Sequence, residues 1–401
     1  MRELKEKIKQ AAKDYLPEII AIRRHLHANP ELSFEEYNTS AYICNKLTEY
    51  NIPFQKGIVK TGIVALLEGT KAGSKAAKPI CIALRADMDA LPINESNECE
   101  YRSVIPGVMH ACGHDVHSAS LLGVAMILNS IKDHFEGSIK FIFQPGEEKL
   151  PGGASLMIKE GVLENPHPAA IFAQHVFPSM ETGKVGFRSG MYMASTDELY
   201  LTVRGKGGHA AMPAEYNNPL LIASQILLEL DKEFMQKKHK APTVLAFGKI
   251  TGNGATNVIP EEVKIEGTFR TMNEDWRAEA HFKMAALAES IAEKMNGQCE
   301  FRIEKGYPFL VNDENTTNKA KLAAEEYLGK ENVEELPLRM TAEDFSFYSQ
   351  QVPACFYRLG TGNKAKGITS GVHTSTFDID ESALETGAGL MAWMTVNALH
   401  G

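Results

Sequence analysis

Eight consecutive positions, His110 to His117 (HACGHDVH), hold three histidines, a cysteine and an aspartate. A hydrophobic core has no use for such a group, because each buried polar atom needs a partner and each buried charge a counter-charge. The simplest common partner for a thiolate and several imidazoles is a metal ion. Cys112 and His114 lie two apart, and the apolar run SASLLGVAMIL comes directly after the cluster. This spacing predicts a loop carrying Cys112 into a helix that starts near His114. A helix N-terminus favours a thiolate, so Cys112 is expected deprotonated and ready to ligate. The plainer alternative is a capped helix start with a few surface histidines.

Further candidates stand at the ends of apolar runs. ICIALRADMDALP (80–92) reads as a central strand that ends in Asp87 and Asp89. Open α/β sheets place their ligands just past the carboxyl ends of such strands, although an Asp-rich turn explains the pair equally well. SIKFIFQPGEEKL (138–150) reads as a buried strand, a Pro-Gly turn and then Glu147-Glu148. Adjacent carboxylates repel unless a cation or a proton relieves them. A metal site uses the pair well, one ligating and the other taking a proton from water. AAIFAQHVF (169–177) brings His175 to a strand end, where a lone histidine is otherwise a satisfied core residue. His373 lies in the loop SGVHTSTFDID (370–380), where a histidine is easily exposed and aimed.

A chain of 401 residues is long for one core and predicts two domains. Residues 3–27 and 36–50 read as helices, the first stopping before Asn29-Pro30. His25 and His27 are two apart, point to different sides of that helix, and are given a structural role. GIVALLEG (62–69) and ACFYRLG (354–360) read as strands and residues 381–399 as a terminal helix. The pattern changes near Val185. DELYLTVRG (197–205), a helix over 217–236, TVLAFGKITG (243–252), EEVKIEGTFR (261–270), a helix over 275–296 and CEFRIEKG (299–306) come in turn. That β-α-β-β-α-β order is the one of a ferredoxin-like sandwich. It predicts an inserted domain over 189–304, between two parts of an α/β domain over 1–188 and 305–401.

Composition narrows the function. A net charge of -9 without a basic run argues against nucleic acid as a partner. No stretch approaches the roughly 20 apolar residues of a membrane span. The opening MRELKEKIKQAAKDYL lacks the apolar core of a signal peptide. Six scattered cysteines without a CxxC pair fit a reducing cytoplasm.

RRHLHANPELSFEE, ALRADMDALPI, MHACGHDVH, FQPGEE, QHV, GGHAAMP, NVIP, GTFR and EDFS occur in this order along the chain. In that order they resemble the M20 metallopeptidases, most of all the amidohydrolase branch with its hippurate hydrolases, N-acyl-amino-acid deacylases and indoleacetyl-amino-acid hydrolases. The resemblance implies a zinc-peptidase-like α/β catalytic domain with a mixed central sheet. It also implies that the insert is an α+β lid and a homodimer interface. Cys112, His114, Glu148, His175 and His373 would then bind two divalent metals, with Glu147 as general base. His209, Asn257 and Arg270 would serve the substrate: the imidazole at an oxyanion, the guanidinium at a free carboxylate. Other M20 branches carry His-x-Asp where this chain has Asp87-Met88-Asp89, and an aspartate near Cys112. The amidohydrolase branch shares both departures, which puts Asp87 and Asp89 behind the ligands, orienting imidazoles. Thiolate and imidazole suit zinc, and the carboxylates leave manganese, cobalt or nickel open.

The expected substrate is a small N-acyl amino acid, the runners-up a dipeptide or N-acetyl-diaminopimelate on the same scaffold. A cysteine hydrolase with Cys112 as nucleophile would waste the carboxylates and other histidines. A metal-stabilised binding protein would have no use for Glu147.

Overall fold

The strands Cys81–Asp87 and Ser138–Gln144 are buried at every residue, as continuous apolar runs in the middle of a sheet must be. They pair in parallel, Asp87 opposite Gln144, and so end at one edge. The computed structural model describes residues 1–71 and 80–400. In it these strands lie within an eight-stranded mixed sheet. Its order is Phe54–Ile58, Gly62–Glu68, Ser138–Gln144, Cys81–Asp87, Ala170–Glu181, Ala354–Gly362, Val185–Phe187 and Val333–Glu335. Ala170–Glu181 runs parallel to both Cys81–Asp87 and Ala354–Gly362, which brings His175 to the same side as Asp87. The helix His114–Ser130 is buried at every residue from His114 to Leu128, the mark of a helix covered all round. It packs with the helices Arg2–Ala28 and Ala383–His400. These elements belong to a compact unit made of Met1–Gly190, Val311–Pro337 and Asp344–Gly401.

The second unit comprises Met191–Leu310 and Leu338–Glu343. Its antiparallel sheet has the order Thr243–Thr251, Glu262–Thr271, Asp197–Arg204 and Gln298–Lys305. Leu199, Leu201 and Val203 alternate into a core with Ile222 and Ile226 of the helix Pro219–Phe234 and with Met284 and Ala288 of Glu274–Lys294. Both helices begin on an asparagine cap: Asn218 accepts from Leu220 N, and Asn273 accepts from Trp276 N. The arrangement is the ferredoxin-like one that the periodicity indicates. The cuts fall after Gly190 and Leu310, whereas the sequence reading places them after 188 and 304. Local periodicity could not assign Leu338–Glu343 to this unit. Its attachment is made by Ala194 N, which donates to the carbonyls of Arg339 and Thr341.

Asp197 anchors this second core. Its buried carboxylate accepts from Arg277 Nε at 2.9 Å, His281 Nε2 at 2.7 Å and Gly306 N at 3.1 Å. Burial pushes its pKa up, but the hydrogen bonds from His281 and Arg277 outweigh burial and hold it below the ordinary value. A carboxylate depressed in the fold stabilises it above the unfolded pKa of about 4 and loses that contribution as pH falls through its lower folded value. Asp197→Asn should therefore cost about 1.5–3 kcal/mol at neutral pH, because Arg277 and His281 lose a charged acceptor while Arg277 keeps Glu274 Oε1 at 3.1 Å. Urea unfolding at a series of pH values checks this: the gap between variant and wild type should narrow below pH of about 4.

Candidate metal centre

The site is built where three strands and one helix end. Cys112 precedes the helix His114–Ser130 by one turn residue, Gly113, at φ 82°. A Cβ at Gly113 would lie 2.6 Å from Val176 Cγ2. Glycine thus permits both the left-handed turn and the close approach of the strand that carries His175. His373 arrives on its loop with φ 61°, and its N–H donates to Ala111 O at 2.7 Å.

These residues converge on the Cys112 sulfur. His175 Nε2 lies 3.5 Å and His373 Nε2 3.3 Å from Sγ, and His373 Nε2 is also 3.2 Å from Glu148 Oε1. Two donor groups therefore share Cys112, one with His114 and His175 and one with Glu148 and His373; within each, the donor atoms lie within 4.8 Å of one another. His114, Glu147 and Glu148 form a further such group.

The imidazoles are oriented from behind. His114 Nδ1 lies 3.2 Å from Asp89 Oδ1. Its Nε2 is buried without a hydrogen-bond partner among the described residues, 3.7 Å from Asp87 Oδ2, 3.9 Å from Glu148 Oε1 and 4.0 Å from Glu147 Oε2. His175 donates from Nδ1 to Val176 O at 2.8 Å, which leaves the Nε2 lone pair facing Cys112. Burial, aided by Arg358, pushes His175 well below its usual pKa, so it is neutral. A partnerless buried nitrogen, a neutral imidazole and a thiol gathered around two carboxylates are what a divalent cation requires. The donor set fits two such ions.

Charge tells the same story at His373. Hydrogen bonds with Cys112 and then Glu148 raise it to about 10; the attraction that holds a proton there will hold a cation. Cys112 departs from the expectation of a ready thiolate. Burial pushes its thiol up, Glu148 adds to this, and His114 and His373 pull the other way without prevailing. A cation that binds there must displace the thiol proton.

Asp87 and Asp89 both lie at this edge and differ in their contacts. Asp89 accepts from Glu147 N and Glu148 N, each at 3.0 Å, and from Ser33 Oγ at 2.6 Å. Asp87 pairs with Arg85 Nη1 at 2.7 Å and with His117 Nδ1 at 2.6 Å. His117 Nε2 in turn accepts from Val176 N at 2.9 Å. Both nitrogens of His117 are thus used, and it is a structural residue that holds the His175 strand. His110 is also set apart: burial lowers it to about 4, and it has no hydrogen-bond partner among the described residues. His27 is buried against Asp115 and Glu95, and His25 stacks on Tyr42.

Sequence reasoning passed over three residues here. Asp344 accepts from Arg85 Nη2 at 2.8 Å and from Ala154 N at 3.0 Å, while its own N–H points to Glu147 Oε1 at 3.4 Å. Ser33 and Glu36 meet the same loops from the N-terminal side. The signal was present in the EDFS and PELSFEE runs, which crowd several polar residues into a short space.

In the second unit, His209 is exposed on the short strand Gly208–His209, paired with Val258–Ile259. Ala210 N donates to Asn257 O at 3.0 Å, so His209 and Asn257 belong to one small ribbon. Ala211 N donates to His209 Nδ1 at 3.1 Å, which leaves the neutral ring's proton on Nε2 as a donor. Arg270 lies on Glu262–Thr271 and donates to Met340 O at 3.3 Å. Burial lowers its pKa, and no carboxylate pairs with it among the described residues.

Residues 83–395 match the model of peptidase family M20/M25/M40. The chain is 36% identical over 390 residues to thermostable carboxypeptidase 2 of Saccharolobus solfataricus, with 96% of each chain covered. It is 36% identical over 368 residues to N-acetyl-L-cysteine deacetylase of Bacillus subtilis, covering 92% of this chain and 85% of that one. An IAA-amino acid hydrolase of Arabidopsis thaliana is 35% identical over 392 residues, covering 96% and 87%. Among solved structures, a Bacillus subtilis protein described as a dinuclear metal-binding peptidase from the M20 family is 32% identical, with a TM-score of 0.81 and 97% and 99% coverage. The chain thus belongs to peptidase family M20/M25/M40.

Proposed function

We propose that this member of the family hydrolyses N-acyl amino acids, removing the acyl group from an amino acid whose carboxylate is free. The observation that carries the reading is the pair of donor groups meeting at Cys112 with Glu147 beside them. Cys112, His114, Glu148, His175 and His373 would hold two divalent cations: zinc, or manganese, cobalt or nickel. When bound, such ions polarise the amide carbonyl and bring the pKa of water toward neutrality. Glu147 accepts the proton of the attacking water and returns it to the leaving nitrogen. The Nε2–H of His209 is a donor suited to the oxyanion, and Asn257 stands next to it in the ribbon. Arg270, a half-buried fork without an acidic partner among the described residues, suits the substrate carboxylate.

Relatives named for N-acetyl-L-cysteine and for IAA-amino acids support the N-acyl reading. Relatives named carboxypeptidase favour a second one, peptide cleavage next to a free terminal carboxylate at the same site. A panel of N-acyl amino acids and dipeptides separates the two. A Cys112 nucleophile is disfavoured because burial keeps the thiol protonated. The reading includes a homodimer through the second unit, supported by the exposed residues of its edge strand Thr243–Thr251; a solution mass of one chain would remove that part. No helix among the described residues is long and apolar enough to cross a membrane, and free cysteines support a reducing compartment such as the cytoplasm.

Glu147→Gln should lower kcat by about 10²–10⁴ while metal content stays at the wild-type level, since general-base catalysis is lost and no ligand is removed. Near-normal turnover in that variant assigns the base elsewhere. Substrate chemistry provides a separate check. Converting the free carboxylate of a good substrate to a carboxamide should lower kcat/KM by about tenfold or more, the scale of a lost charged hydrogen bond, and Arg270→Ala should erase the difference. Equal rates on acid and amide would count against Arg270.

A further inference from the structure

The run PELSFEE, residues 30–36, supplies no metal ligand and no general base, yet two of its polar side chains, Ser33 and Glu36, reach the loops of the site. Ser33 Oγ donates to Asp89 Oδ2 at 2.6 Å. Glu36 is fully buried. Its Oε1 accepts from Gly146 N at 2.9 Å and from Phe34 N at 2.9 Å, and its Oε2 accepts from Thr61 Oγ1 at 2.7 Å. Asp89 takes the next two amides, Glu147 N and Glu148 N. Three consecutive N–H groups, Gly146 to Glu148, are thus held by two buried carboxyls.

The turn is moulded sterically as well. Gly146 has φ 62°, and a Cβ there would lie 2.4 Å from Phe34 Cζ. The Phe34 ring therefore fills the space that any other residue at 146 would need. With backbone and ring both fixed, the turn has one way to present Glu147 and Glu148.

We infer that Glu36 is a positioning residue for the hydrolytic site: by holding Gly146 N–H it sets the turn that aims Glu148 at the metal and Glu147 at the water. The inference rests on the proposed roles of those two glutamates. It assigns to Glu36 a role of reach. Its carboxyl oxygen must arrive at Gly146, whereas its charge is secondary. Burial, with Asp89 nearby, raises Glu36 to about 7, so the neutral acid, whose shape and hydrogen bonding Gln reproduces, is accessible near neutral pH. The Thr61 hydroxyl can turn to accept from a Gln amide where it now donates.

Two near-isosteric variants separate reach from charge. Glu36→Gln keeps the reach and removes the charge; Glu36→Asp keeps the charge and shortens the reach. Zinc affinity, read by competition with a chromogenic chelator, and steady-state kinetics on an N-acyl amino acid give independent readouts. Glu36→Gln should stay within about threefold of wild type in both, while Glu36→Asp should lose about 10–100-fold in zinc affinity or kcat, the usual cost of disturbing the partners behind a ligand, with KM little changed. Thr61→Val, which removes the hydroxyl that donates to Glu36 Oε2, should shift zinc affinity in the same direction and serves if Glu36→Asp does not fold. Wild-type zinc affinity and kcat in Glu36→Asp and Thr61→Val would overturn the inference, as would a Glu36→Gln as impaired as Glu36→Asp. If the wild type binds zinc but cleaves no N-acyl amino acid, the substrate reading fails, and the zinc affinities still decide the role of Glu36.

Discussion

A carboxylate taken out of water costs several kcal/mol unless donors and counter-charges surround it, and this chain buries Asp87 and Asp89 side by side at one sheet edge. Satisfying them organises everything nearby. Asp89 takes the amides of Glu147 and Glu148, the hydroxyl of Ser33 and the ring of His114. Asp87 takes Arg85 and His117. Burial pushes both carboxyls up, but His114, with His117 and Arg85 at Asp87 and with Ser33 at Asp89, holds both below the usual range, so the two remain charged. The edge they organise brings Cys112, His114, Glu148, His175 and His373 together as two donor groups that meet at Cys112. A cation is the group that completes it.

Much of this edge is legible in the sequence because it depends on local order. The apolar runs fix which strands are central, and the residues at the end of each run are the ones that reach the edge: Asp87, Gln144 with Glu147-Glu148 beyond it, and His175. The helix start at His114 is set by the apolar run behind it. The partners across long separations are not legible in the same way. Arg23 reaches Asp115, Asp378 and Glu381 from the first helix, and Glu36 reaches Gly146. Nothing in their own neighbourhoods specifies those contacts. His117 is instructive for the opposite reason. It stands in the densest metal-like cluster, yet both of its nitrogens are occupied by Asp87 and Val176, a fact that spacing cannot reveal. At Cys112, burial and Glu148 push the thiol up against the pull of His114 and His373, and spacing cannot reveal that the fold buries this residue.

The chemistry divides along the chain. The first unit gathers donor groups that suit a cation, whereas the second carries, in the proposed reading, groups for a substrate: a histidine whose Nδ1 accepts from Ala211 N and an arginine that donates to Met340 O. Its antiparallel sheet is pinned by the buried pair of Asp197 and Arg277.

The central claim is that one thiolate serves both cations, and metal stoichiometry in Cys112 and single-histidine variants tests it most directly. Dialysed protein should bind two equivalents of zinc. His175→Ala and His373→Ala should each weaken one equivalent and leave the other near its original affinity, whereas Cys112→Ala should weaken both, because Cys112 is common to the two donor groups. A Cys112→Ala protein that holds two zinc ions as tightly as the wild type would contradict the account.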